Sequence, residues 1–72
     1  MRESRFWELM EGEFGPAYAS TVARTHVLSE VAATSEAALA AGVSPRAVWS
    51  AICRDFDVPP DRALGRDPRS AP

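Results

Sequence analysis

The sequence predicts an all-α fold, a compact bundle of four helices whose last two are arranged like a helix-turn-helix, and three observations carry that expectation. Apolar residues recur at spacings of three and four in four separate stretches. Gly15, Gly42 and the Pro59-Pro60 pair fall where those stretches stop, and Ser4, Thr34, Ser35 and Ser44 where they start. No segment reads as a strand or as an internal repeat.

The first helix is expected from a Ser4 cap to about Phe14, where Gly15 supplies a left-handed stop and Pro16 forbids continuation. At about 100° per residue, Phe6, Trp7, Met10 and Phe14 share one side with Leu9 at its edge, while Glu8, Glu11 and Gly12 point away. Pro16 also suits the first turn of a second helix, expected through about Val31, in which Tyr18, Ala19, Val22, Ala23, His26 and Val27 form a broad face. A short third helix follows from about Ser35 to Ala41. Thr34 or Ser35 caps it, Glu36 favours its first turn, Leu39 is its one large apolar anchor and Gly42 ends it. Ser44 then caps a fourth helix with Pro45 at its first position, and Val48, Trp49, Ile52, Cys53 and Phe56 make the cleanest apolar stripe in the chain. A short turn is expected at Asp61 to Leu64. Residues 65–72 have the Gly, Pro, Ser and Arg composition of a disordered tail, which leaves residues 1–64 as one helical domain. The predicted core is Phe6, Trp7, Met10, Phe14, Tyr18, Val22, Val27, Leu39, Val48, Trp49, Ile52 and Phe56.

A chain of 72 residues allows one domain and buries only about 60% of its unfolded surface, so packing must carry the fold unless a staple is present. None is visible: a single cysteine, Cys53, cannot form an internal disulfide, and with one histidine, His26, there is no ligand set for a structural metal. No cofactor is expected. The apolar runs are shorter than a membrane span, and Glu3, Glu8, Glu11 and Glu13 interrupt the region where a signal peptide needs continuous apolar residues, so the expected setting is the cytoplasm with no membrane contact. The formal charge of -2 is unevenly spread: three Arg against six Glu in residues 1–36, five Arg against four Asp in residues 37–72. An acidic chain without a single lysine lacks the electrostatic footprint of a nucleic-acid binder.

His26 and Cys53 both fall on apolar faces and could meet as an imidazole and a thiol. Catalysis would also need a cleft and a third, orienting group, which so small a core leaves little room for, so both are read as packing residues, with His26 partly buried beside one hydrogen-bond partner. The glutamates of the first helix face solvent and read as a solubilising surface. Between Thr34 and Phe56 the spacing fits a helix-turn-helix: Ala38 is small where such a motif needs it, Gly42 sits in the turn, and Val43, Val48 and Ala51 lock the two helices. Its outer ridge would present Arg46, Ala47, Ser50 and Arg54, of which Arg46, Ser50 and Arg54 can make polar contacts with a partner or with DNA. The expected function is therefore a non-enzymatic interaction module for an unidentified protein partner. The alternative is a domain that reads DNA with the helix from Pro45 to Phe56.

Three blocks carry a family resemblance: F-W-E-L-M-E-G-E-F-G-P-A-Y-A from Phe6 to Ala19, H-V-L from His26 to Leu28, and E-A-A-L-A-A-G-V-S-P-R-A-V-W-S-A-I-C-R-D-F-D-V-P-P from Glu36 to Pro60. Together they resemble domain-of-unknown-function family 3046, small proteins of high-GC Gram-positive bacteria, over about Arg2 to Asp67. The segment from Val31 to Ser35 departs from a more glycine-rich or basic loop. The resemblance implies a helical fold and no catalytic set, and it assigns no function.

Overall fold

Glycine and proline set the frame of the N-terminal half. In the computed structural model, which describes residues 1–63, α1 spans Glu3–Phe14 and α2 spans Pro16–Thr25. Helix α1 starts earlier than a Ser4 cap would place it: Phe6 N–H already donates to Arg2 O at 3.1 Å, and no side chain caps the end. Gly15, at φ 82° and ψ 154°, adopts a backbone conformation that essentially only glycine populates, and it serves both helices. Its N–H donates to Glu11 O and its carbonyl accepts from Ala19 N–H, each at 2.8 Å, so the chain reverses within one residue.

The structure corrects the expected second helix, which stops at Thr25 instead of reaching Val31, and with it the expectation of helices alone. Val27–Leu28 (β1) and Ala33–Thr34 (β2) form a small antiparallel hairpin, with Val27 opposite Thr34 and Leu28 opposite Ala33. Ala32 closes its turn at φ 54°, and its N–H donates to Leu28 O at 2.8 Å. The pull away from helix comes from tertiary contacts. Asp55 accepts from Ser29 N–H at 3.0 Å and from His26 Nε2 at 2.9 Å, and Arg54 pairs with Glu30 at 3.0 Å. Leu28 is thereby turned fully into the core while Val27 faces solvent.

Thr34 ends the hairpin and caps α3 (Ser35–Ala40), its hydroxyl accepting from Ala37 N–H at 3.2 Å. That helix closes in a complete Schellman turn: Gly42, at φ 96°, donates to Leu39 O at 3.1 Å, and Val43 donates to Ala38 O at 3.0 Å. Ser44 Oγ then accepts from Ala47 N–H at 3.2 Å to start α4 (Pro45–Asp55), and Pro60–Ala63 forms a final single turn, α5. Among the described residues there are thus five helices, three of them longer than six residues, and one two-strand hairpin. Leu64 and the expected tail at residues 65–72 lie outside the described residues.

Helix α1 packs against α2 and α4, and α3 contacts both α2 and α4. The core at their junction is built on Phe6, Met10, Leu28, Val48 and Ile52, with Leu9, Ala19, Val22, Ala23, Ala38, Trp49 and Ala51 around them. Trp7, Phe14, Leu39 and Phe56 pack against this cluster but are only half-buried. Two expected core residues are not in it: Tyr18 is 54% exposed and Val27 58%. Tyr18 lies at the margin of its helix face, where it meets Phe14 edge-to-face with ring centroids 5.8 Å apart. Val27 follows the two-residue alternation of a strand, which sends it outward once Leu28 points in. Ser35 is fully buried, and its hydroxyl finds no hydrogen-bond partner among the described residues.

Candidate partner-binding groove

Helix α4 has two working faces. Val48, Ala51 and Ile52 enter the core, whereas Arg46, Ala47, Ser50 and Arg54 stand exposed on the opposite ridge. Beside that ridge the chain doubles back. Asp57 takes the left-handed conformation at φ 56°, and Val58 N–H donates to Cys53 O at 2.9 Å, the six-to-one bond of a Schellman turn with aspartate in place of the usual glycine. This ends α4 before Pro59 and folds Val58 under the helix. Trp49 then ties down the returning chain: its indole N–H donates to Ala63 O at 2.7 Å, so α5 lies next to α4.

The outcome is an open groove of about 720 Å³ between α4 and α5, with Met1 also on its border. Trp49, Cys53, Val58 and Ala63 supply apolar lining, and Arg46, Ser50, Arg54 and Asp57 supply polar groups. The three polar residues singled out in the sequence, Arg46, Ser50 and Arg54, all line it. Their neighbours were not foreseen as a site. Trp49 reads as core in the sequence, and it is: only 4% exposed, it shows the groove one edge of a buried ring. Val58 and Ala63 reach the groove only because Asp57 reverses the chain, and an Asp-Val pair before two prolines carries no clear signal of that reversal.

The charges around the groove differ in their engagement. Arg54 pairs with Glu30, and Arg62 makes two hydrogen bonds to Glu13 at 3.1 and 3.0 Å. Arg46 has no ion pair or hydrogen bond from its side chain to any described residue. Burial, with the nearby Glu13 carboxylate adding to it, pushes the Cys53 thiol above its ordinary pKa, so it stays protonated at neutral pH and lacks the thiolate a nucleophile needs. His26 is engaged elsewhere, by Asp55 and by the Phe56 ring at 4.6 Å. Its hydrogen bond, then that of Ser29 N–H, holds the Asp55 carboxyl below the usual carboxylate range. A carboxylate only accepts, so His26 carries its proton on Nε2. Among the described residues no three His, Cys, Asp or Glu side chains converge to hold a metal ion, and no helix is long and apolar enough to cross a membrane.

The segment expected to resemble a helix-turn-helix has Ala38, Val48 and Ala51 buried and Val43 half-buried at the α3–α4 junction. Fold and groove together define a small, mostly helical protein with an amphipathic groove beside the exposed ridge of α4. Residues 1–61 match the family model described as a protein of unknown function, DUF3046, and the chain belongs to that family. No curated protein and no solved structure matches it.

Proposed function

We propose that the protein is a non-enzymatic, cytoplasmic interaction module that docks a protein partner in the groove between α4 and α5. The observation that carries this reading is the composition of the groove: an apolar lining from Trp49, Cys53 and Val58 with Arg46, Ser50 and Arg54 beside it, in a volume of about 720 Å³. Protein interfaces bury an apolar centre inside a polar margin. The protonated thiol of Cys53 and the engagement of His26 by Asp55 argue against the imidazole–thiol pair that would favour an enzyme.

The exposed ridge of Arg46, Ser50 and Arg54 on the second helix of the α3–α4 pair supports a second reading, DNA recognition by α4. Its electrostatics are weak. Two arginines neutralising two phosphates give a slope of about -1.8 in log affinity against log salt, about a twelve-fold loss between 50 and 200 mM, where dedicated binders lose about a thousand-fold or more. Asp57 on the same groove opposes even that.

A random twelve-residue peptide library panned against the parent, with a Ser50→Trp variant as the subtracting surface, tests the reading. Ser50 is exposed, so the large ring fills the groove without entering the core. Peptides that bind the parent and not the variant are the expected result. Recovery only of peptides indifferent to Ser50→Trp would overturn it, and tight duplex binding abolished by Arg46→Ala with Arg54→Ala would install the DNA reading.

A further inference from the structure

We infer that the partner segment is acidic and amphipathic: a carboxylate that pairs with Arg46 beside one or two large apolar side chains that cover Trp49, Cys53 and Val58. This rests on the groove being the partner site, and it specifies what fills it.

The argument is one of unmatched charge. Three arginines occur on α4 and α5, and two of them are already answered by carboxylates from other elements, Arg54 by Glu30 and Arg62 by Glu13. Arg46 is not. The acidic residue that lines the same groove, Asp57, follows Arg46 by eleven positions. At 1.5 Å per residue that separates their backbones by roughly 15 Å along the helix, beyond the reach of a direct pair. The groove is consequently positive at its Arg46 end, where the amino-terminal dipole of α4 has the same sign, and negative at its Asp57 end. Apolar lining from Trp49 and Cys53 lies between the two on α4, with Val58 next to Asp57.

A ligand that matches this layout places its carboxylate at Arg46, lays apolar side chains over the middle, and keeps acidic groups away from Asp57. A helical segment with anchors at i and i+4 does this within one face. The guanidinium favours a carboxylate over an amide at the same place because a planar fork of N–H donors matches two acceptor oxygens. A nucleic-acid backbone offers the anion without the apolar anchors, so it leaves the lining uncovered.

The panning experiment, read by composition, decides the point. Binders selected on the parent are expected to be rich in Asp or Glu next to Leu, Phe or Trp, and those selected on Arg46→Gln to lose that enrichment. A fluorescently labelled binder should weaken by up to about five-fold when its selected Glu is replaced by Gln, the upper end for an exposed ion pair. On Arg46→Gln the same replacement should change nothing. Arg24→Gln, on α2 and outside the groove lining, should behave as the parent. Binders that require an open groove, shown by loss on Ser50→Trp, but carry no acidic bias would leave the docking reading intact and sink this inference. If no binder depends on Ser50, or if duplex DNA displaces the labelled peptide at equal concentration and moderate salt, both fall.

Discussion

Trp49 belongs to core and groove at once, so its substitution measures how far the two depend on each other. The ring is 4% exposed, packs edge-to-face with Phe6 at a centroid distance of 6.4 Å, and donates its N–H to Ala63 O. Trp49→Ala removes the largest side chain of the core, at a cost of about 3–5 kcal/mol. Typical domains hold about 0.05–0.15 kcal/mol per residue, so a unit of this size has about 3–9 kcal/mol in total, and the variant should be largely unfolded or on the edge of unfolding. Trp49→Phe separates the contributions. It keeps most of the ring and gives up the indole hydrogen bond, about 0.5–1.5 kcal/mol, and in a small domain each kcal/mol lowers the melting temperature by about 4–8 °C. Thermal melts followed by far-UV circular dichroism should rank parent, Trp49→Phe and Trp49→Ala in falling order. If Trp49→Ala melted within a couple of degrees of the parent, the residue would not be part of the packed interior and the groove would lack the rigid edge described above.

The remaining expectations concern the hairpin, two local features and pH. Leu28→Ala should cost about 2–5 kcal/mol while Val27→Ala stays within about 0.5, a contrast that urea titration reads directly and that a helix continuing to Val31 would not produce. Gly12 is exposed in the last turn of α1 with open space where a Cβ would sit, so Gly12→Ala should gain up to about 1 kcal/mol in the same titration. Ser35→Ala removes a buried hydroxyl without a partner and should be neutral or stabilising; a loss of more than about 1 kcal/mol would reveal a hydrogen bond not evident in the fold. Asp55 has its pKa depressed in the folded protein, so its contribution is fully present above the unfolded aspartate value of about 3.9 and disappears as pH falls through the lower, folded value. Asp55→Asn should therefore be less stable than the parent at neutral pH, with the gap closing in acid; a gap independent of pH would show that ionisation of Asp55 is not what joins α4 to the hairpin.

Much of this architecture was legible because its signals are local. Gly42, Thr34, Ser44 and Pro45 each act on backbone within one turn and do in the structure what their type implies, while Gly15 stops α1 at positive φ but with ψ 154°, outside the left-handed helical region expected of it. The end of α2 was not legible. Val22, His26 and Val27 continue a plausible helical face, and what overrides it is Asp55, nearly thirty residues on, gathering His26 and Ser29 around one carboxylate. No periodicity within the segment could show that. The ridge of Arg46, Ser50 and Arg54 followed from helical spacing alone, but its opposite wall needed Asp57 in a conformation usually left to glycine. Tyr18 illustrates a third limit: periodicity says which residues share a face, whereas burial depends on whether a neighbouring element extends far enough to cover it.

Helix α5 contains no buried residue, and among the described residues two polar links hold it, the Trp49 indole to Ala63 O and Arg62 to Glu13. An element of this kind opens in small local fluctuations that leave the apolar interior closed, and its amide protons should exchange with solvent long before those of α4. One of its two links is a partly exposed ion pair, which dissolved salt screens while hydrophobic packing stays in place. Raising ionic strength should thus loosen one wall of the groove and spare the fold, making access to that surface depend on the composition of the surrounding solution.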